Sequence, residues 1–498
     1  CAQMEAAIPE TSQQSQVEQQ PIATEEKAVE PVVENPVQKE EATSAAAVSS
    51  ISNADGSISP SIHAEKIADP ERKSMDFISN GLVGCHVEDV LEEHLSSFVN
   101  AKKQVIVLTL AGKPVYSYGR KEDDLPNITG IIRAIDANFS VMGENLRFIE
   151  TEKGLFVFER IASLLFFCYT PKEGTTIYLI REEFQLLYQQ IIVLLSITAM
   201  NTLEKKSNYD ICELLGNSAT HLTTIIEQNE ISLYYLLRCY QPLLLPPTLR
   251  NQLRDLLLSM KRPDTVYAGI GINNSLAICL QNKQFPLQPI NQVLIQSMIT
   301  RTVAYRSSEG WLPICVSDVK NDAFLHLYVG FVTEDMYVYF ITTANDPDVF
   351  GVYSAMKDAV YTALTTSDRL IDVYAAYNTP VKVQDLAVPD LIHFIYKNEM
   401  NEVVIPALDS RVFDYGDYQK LMKYYQRVYS HMMGGNLNEC FESNADCVVH
   451  ASRMGSSVLI LVMSPYLRVE DAMKRRKMVV EWLYKRRDLF IQSSQLFW

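Results

Sequence analysis

The chain has 498 residues, too many for one hydrophobic core, and at 47% hydrophobic and 21% charged it has the composition of a globular protein of about two to four domains. A formal charge of −16 argues against a general nucleic-acid binder, which needs clustered Lys and Arg to neutralise phosphates. The nine cysteines are dispersed with no CxxC pair, so they read as reduced thiols of a cytoplasmic protein and not as a disulfide framework.

Residues 1–76 contain no Phe, Trp or Tyr, although the chain carries 19 Phe, 3 Trp and 26 Tyr. Such a segment buries too little apolar surface to offset the entropy of ordering, and it reads as a disordered acidic tail, either solubilising or regulatory. It has no basic stretch leading into an apolar one, so no secretory signal is expected. Residues 77–103 read as a linker with a short helix.

A first unit is expected over 104–208. Gln104 to Leu110 is a buried-strand run, Ala111-Gly-Lys-Pro114 a turn, and Val115 to Tyr118 the returning strand. Pro126 sits where a first helical turn tolerates proline, and Ile128, Ile131, Ile132, Ile135 and Phe139 follow at helical spacing up to Gly143. Strands are predicted over Leu146–Thr151, Leu155–Arg160 and Leu164–Tyr169, then helix from Thr175 or Thr176 to about Gly216. The greasy run Phe184–Met200 is broken by Gln185, Gln189 and Gln190 and is shorter than the about 20 apolar residues a membrane span needs.

A helical connector, 209–262, is punctuated by Pro242, Pro246 and Pro247. The pattern then returns over 263–370. Strands are predicted at Val266–Gly271, Leu276–Leu280, Pro313–Val319, Leu325–Phe331 and Met336–Thr342, with helices at Pro289–Ala304 and Val352–Thr366. After a linker, 371–388, a third copy occupies 389–498. Leu391–Tyr396 pairs with Glu402–Ile405, a helix covers Tyr418–His431, strands fill Glu439–Met463, and a helix runs from Val469 to Leu489. Two strands, a helix, three strands and then helices give an antiparallel five-stranded sheet sandwiched by helices. The fold class is α/β, with three longin domains following the tail.

Several short patterns hint at chemistry. Gly269-Ile-Gly-Ile-Asn-Asn274 resembles a dinucleotide loop but lacks the third glycine and lies inside a hairpin. Cys315 and His326 lack the further ligands of a zinc site and the orienting group of a Cys-His hydrolase, so neither metal nor cofactor is expected. Trp311 reads as a core anchor or an exposed one. The last helix carries Lys474, Arg475, Arg476, Lys477, Lys485, Arg486 and Arg487, which read as a solvated face or as an attractor of phosphoinositide headgroups.

Ile106 to Gly119 resembles the opening hairpin of the SAND (Mon-one) family, hydrophobic strand then GKPVYSRYG, without the arginine between Ser117 and Tyr118. Lys206 to Gly216 is similar to that family's NYDLRRLL segment. Trp311-Leu-Pro-Ile-Cys315 with Phe324-Leu-His326 resembles its W-x-P-(I/V)-C and F-(L/F)-H pair, and Val388 to Lys397 resembles (I/V)PDLxHFLYK.

The resemblance implies a subunit of a guanine nucleotide exchange complex, obligately paired with a Ccz-type tri-longin protein. The substrate is then a late-endosomal, Rab-seven type GTPase. An active early-endosomal Rab and phosphoinositides recruit the complex to endosome and lysosome or vacuole membranes. Exchange requires no acid, base or nucleophile from the chain, so the functional residues are expected on an exposed surface of the first longin domain. The candidates are Tyr116, Tyr118, Pro126, Asn127, Thr129, Gly130 and Arg133, with Trp311 as the candidate for the recruiting Rab. Against this, Tyr116 or Tyr118 must face the helix-covered side of the sheet, and Gly130 could serve only close packing. The alternative function is a non-exchanging scaffold or tether, because longin folds also serve in those roles. A hydrolase has no supporting constellation.

Overall fold

The computed structural model describes residues 102–497 except 142, 144, 153, 172–174, 207–209, 317–318, 320–323, 347 and 409–414. The expected tail, 1–76, and the linker up to residue 101 lie outside the described residues. In the first unit, β1 (Gln104–Thr109), β2 (Pro114–Tyr118), α1 (Leu125–Val141), β3 (Phe148–Glu150), β4 (Gly154–Ile161) and β5 (Leu164–Pro171) precede α2 (Ile177–Leu195) and α3 (Ile197–Lys205). The connector supplies α4 (Ile211–Leu215), α5 (Thr220–Ile231), α6 (Tyr234–Leu237), β6 (Gln241–Pro242) and α7 (Pro247–Ser259).

The second unit contains β7 (Thr265–Ile272), β8 (Ser275–Gln281), α8 (Pro289–Arg301), α9 (Ala304–Ser307), β9 (Gly310–Ile314), β10 (Leu325–Phe331), β11 (Met336–Thr342), α10 (Asp348–Thr366) and α11 (Arg369–Tyr377). In the third are β12 (Leu391–Lys397), β13 (Val403–Val404), α12 (Tyr415–Gly434), β14 (Glu439–Ser443), β15 (Val448–Met454), β16 (Ser457–Met463), α13 (Val469–Lys485) and α14 (Ser493–Leu496).

The three sheets share one strand order. The first reads β2-β1-β5-β4-β3, the third β13-β12-β16-β15-β14, and the second β8-β7-β11-β10-β9 with β6 added at the β8 edge. Three longin domains therefore follow one another, and the second sheet has six strands where five were expected. The central strands β5, β11 and β16 are buried on both faces, which is why they read as unbroken apolar runs.

Alternation along each strand divides the core. Val105 and Val107 of β1, Leu327 and Val329 of β10, and Val449 and Ala451 of β15 all face one shared apolar cluster, together with α2, α5, α8 and α12. The opposite faces have their own covers: α1 on the first sheet, α7, α10 and α11 on the second, and α13 on the third. α2 and α3 are the greasy run, bent by 96° at Ser196, and no single helix among the described residues is long and apolar enough to cross a membrane.

Polar joints set the units in register. Gln189 of α2 donates to Asn291 of α8 at 2.9 Å, and Thr176, the N-cap of α2, shares a hydrogen bond with Ser430 of α12 at 2.5 Å. Tyr240, just before β6, bridges Glu402 of the third unit, while β6 pairs in parallel with β8. Arg250 of α7 is fully buried, and its guanidinium donates to the carbonyls of Leu243 (2.8 Å), Ala277 and Leu489.

Several boundaries differ from the sequence reading. β9 begins at Gly310, not Pro313, because Trp311 pairs with Tyr328 and its ring packs beneath α10. α10 starts at Asp348, with Val349 already buried, four residues before the expected Val352. β3 lacks Leu146, Arg147 and Thr151, and α13 ends at Lys485 instead of Leu489, after which Arg487–Leu489 form a 3-10 turn.

The glycines Gly269 and Gly271 belong to β7 and lie directly across from Tyr339 and Tyr337. A Cβ on either would stand 2.5 Å or 2.4 Å from those tyrosine rings or their hydroxyls, so the glycines clear space for aromatics and not for a phosphate. Replacing Arg250 by Met takes its donors away from the carbonyls of Leu243, Ala277 and Leu489, of which Leu489 keeps the Leu245 N–H, and we expect a loss of about 3–5 kcal/mol, read as a lower urea midpoint with an unchanged slope.

Candidate surface on the first domain

β1 and β2 pair as Val105 with Tyr118, Ile106 with Ser117 and Val107 with Tyr116, and then slip, so that Leu108 meets Pro114 and Val115 bulges. The strand thus pairs through its end despite the missing arginine. This register turns Tyr116 inward. It is 7% exposed, and its hydroxyl shares a hydrogen bond of 2.8 Å with Thr223 of α5. Burial drives the phenol well above its ordinary value, against the pull of Thr223.

Tyr118 is half-buried against the shared core, its phenol raised by burial first and by the carboxylates of Glu230 and Glu227 next. Nearby, Lys103 and Glu183 form an ion pair at 2.8 Å inside the fold, and Asn229 of α5 donates to the same carboxylate at 3.1 Å. Burial lowers the Lys103 ammonium, but Glu183, with Cys168 and Glu230 behind it, offsets this and leaves the group raised. This side of the sheet therefore fastens the connector to the domain, and Tyr116 is a structural residue, not a surface one.

α1 divides the other candidates. Ile128 and Ile132 point into the outer core, and Thr129 is also buried, its hydroxyl donating to Pro126 O at 3.1 Å. Arg133 is half-buried over the β1–β2 turn, where a Cβ on Gly112 would meet its Cγ at 3.0 Å. It pairs with Asp136 at 2.6 Å, and the buried Asp136 also accepts two bonds from Arg160 of β4, at 2.9 and 2.7 Å.

Pro126, Asn127 and Gly130 are exposed, and the same outward face continues through Ala134, Ala137, Asn138 and the 88%-exposed Val141. No charged side chain lies on it. A Cβ added to Gly130 would meet nothing within 4 Å, so close packing inside the chain does not account for the glycine. A glycine at such a helix position costs about 1 kcal/mol relative to alanine.

The other two candidate sets are dispersed. Trp311 is half-buried and stacks on His326, with ring centroids 5.1 Å apart and planes 4° from parallel, beside Phe350 and Tyr353. It anchors the second sheet to α10. On α13, Lys474 pairs with Asp471 (2.9 Å), Arg475 with Asp390 (2.9 Å), Arg476 with Glu439 (3.7 Å) and Lys485 with Glu481 (2.8 Å). Arg487 pairs with Asp488 at 3.8 Å, and Arg486 lies 4.1 Å from the Trp482 ring centroid. Among the described residues, only Lys477 and Arg486 of the seven have no carboxylate within ion-pair distance, so five of the seven charges are paired where they stand.

Three family models match in succession: the first longin domain of FUZ, MON1 and HPS1 over residues 103–225, the second over 263–362 and the third over 390–487. Similar curated proteins include Vacuolar fusion protein MON1 of Cryptococcus neoformans, 26% identical over 406 residues, covering 78% of this chain and 65% of that protein. Vacuolar fusion protein MON1 homolog A of Gallus gallus is 24% identical over 402 residues, covering 80% and 73%. Protein SAND of Takifugu rubripes is 24% identical over 358 residues, covering 70% and 69%. The chain thus spans somewhat less than two thirds of the length of the Cryptococcus relative.

Replacing Tyr116 by Phe removes only the bond to Thr223 and keeps the ring. A loss of about 1 kcal/mol is expected in equilibrium denaturation, with no change in any surface-binding assay.

Proposed function

This chain belongs to the FUZ, MON1 and HPS1 family of three-longin-domain proteins, in its vacuolar fusion (MON1, SAND) group, and from that premise we propose that it acts in vacuolar fusion as one subunit of a guanine nucleotide exchange factor. The substrate is a late-endosomal, Rab-seven type GTPase, and the complex is completed by a Ccz-type tri-longin partner. The observation that carries this reading is the uncharged outer face of α1, with Gly130 open to solvent at its centre. A helix without exposed charge in a chain that is 21% charged is suited to a protein interface, where the buried centre is depleted of charge.

Exchange on such a surface is a matter of differential binding. A factor that binds the nucleotide-free GTPase more tightly than the loaded form weakens nucleotide affinity by the same ratio. The switch loops are held by nucleotide and Mg²⁺, so a surface that holds one open lowers the release barrier. About 4 kcal/mol of preference for the open form gives roughly a thousandfold acceleration, which a few buried contacts supply. The chain contributes no proton transfer and no covalent step, and the complex works from the cytoplasmic side of endosome and lysosome or vacuole membranes.

Within the candidate set, Pro126, Asn127 and Gly130 form the contact, with Arg133 at its border. Tyr116 and Thr129 support it from inside. Trp311 is given no recruiting role, since its ring is occupied by His326 and α10. Of the basic residues, Lys477 remains the one to meet an anionic headgroup, because it alone is exposed and neither paired nor stacked among the described residues.

The test is release of a fluorescent guanine nucleotide from the GTPase by the co-purified pair. Gly130→Leu should keep or raise the melting temperature, since leucine favours helix and meets no clash, while slowing release at least about tenfold. Unchanged release would remove α1 from the contact. On vesicles containing phosphatidylinositol phosphates, Lys477→Glu should reduce sedimentation severalfold with stability intact. Arg475→Glu should instead lower stability by setting a second carboxylate against Asp390.

A further inference from the structure

The segment that follows α13 does not remain with its own domain. Phe490 packs in the outer core of the third unit, whereas Ile491 and Leu496 enter the core shared by all three. Leu489 offers its carbonyl to Arg250 and to the backbone N–H of Leu245 (3.3 Å), Gln495 donates to Asn251 at 2.7 Å, and Phe497 bridges Gln281 at the end of β8. A buried charged side chain of the third unit also meets this segment: Glu402, with no exposed surface, accepts from Asn398 at 2.6 Å and from the Ile491 N–H at 3.0 Å.

We propose that Phe490–Phe497 is a clasp between the second and third units whose closure is set by the charge state of Glu402. The segment is suited to opening by itself, because it is held by single hydrogen bonds and one short helix and not by a sheet ladder. Glu402 is its key, since among the described residues its carboxylate is the side chain that grips the backbone N–H of Ile491, and it is buried with the segment down.

The groups facing Glu402 come from every element around it. They are Arg250 from α7, Cys239 and Tyr240 from the connector, Cys279 from β8, and Tyr396 and Asn398 from the third unit. Among the described residues, Arg250 is the cation that opposes burial. Burial nevertheless dominates and raises the Glu402 carboxyl to about 7, while Asn398, the Ile491 N–H and Arg250 pull it down.

The direction of the effect follows from linkage. With the clasp open, Glu402 meets water and returns towards its ordinary value of 4.5. The closed form then binds the proton more tightly, so closure is strengthened below neutral pH and weakens as pH rises through 7. Between pH 8 and pH 6 the closing equilibrium should change about tenfold.

Hydrogen exchange of the full chain, read by mass spectrometry at pH 6, 7 and 8 and corrected for intrinsic rates, tests this. Amides of 489–497 should be protected about tenfold more at pH 6 than at pH 8, with β16 unchanged. In Glu402→Gln, which is neutral throughout, protection of the segment should be flat with pH and at pH 8 no lower than in the unsubstituted chain. A flat profile in the unsubstituted chain, or a slope that survives Glu402→Gln, overturns the proposal. Should the variant not fold, the unsubstituted chain decides: a slope confined to 489–497 supports the clasp, and one shared by β16 overturns it.

Discussion

Each of the three sheets has two apolar faces, and the molecule covers three of those six with one another's helices. α2, α8 and α12 lie between sheets, so the inner faces of all three units merge into a single core. Everything else follows from that burial. α8 shows it most clearly, since nine consecutive residues from Asn291 to Ile299 are buried, polar ones included. A helix enclosed on all sides has no solvent face to mark its period. Its asparagine is satisfied across a joint, by Gln189, and its glutamines within their own unit, Gln296 by the carbonyl of Asn274 and Gln292 by Tyr339. The outer helices, α1 among them, are left as the ones with a solvent face.

The strands were legible because a buried strand is a short apolar run between turn residues, and that signal is local. What escaped depends on chain brought from far away. β6 is two residues long, one of them proline, and exists because β8 lies on one side and the Glu402 turn is close by. Arg250 and Glu402 are charged residues of kinds that composition places on surfaces, and nothing within several residues of either announces burial. Tyr116 and Tyr118 have the same alternation, and only the fold brings Thr223 of α5 to the hydroxyl of Tyr116. Gly130 could be read either way until the space around it was known.

The basic run of α13 shows how a charge cluster in sequence is not a charge patch in space. Asp471 and Glu481 sit three and four residues before Lys474 and Lys485, a pairing that helical spacing alone makes readable. Asp390 and Glu439 come from β12's approach and from β14, and only the fold brings them to Arg475 and Arg476. Exposed pairs of this kind contribute little to stability, but they cancel the field that an anionic surface would feel.

The position of β6 also bears on the order in which the molecule is assembled. Tyr240 leaves the ribosome roughly 160 residues ahead of Glu402, whose bridge completes the strand's far side. At about 5–20 residues per second, the connector waits on the order of ten seconds or more with that edge uncovered. The first unit can close meanwhile around α2, but α2 also needs α8 and α12, which arrive later still. Synthesis of this protein therefore passes through a stage in which a finished domain carries an apolar helix face awaiting chain not yet made, and a stall in translation there exposes it.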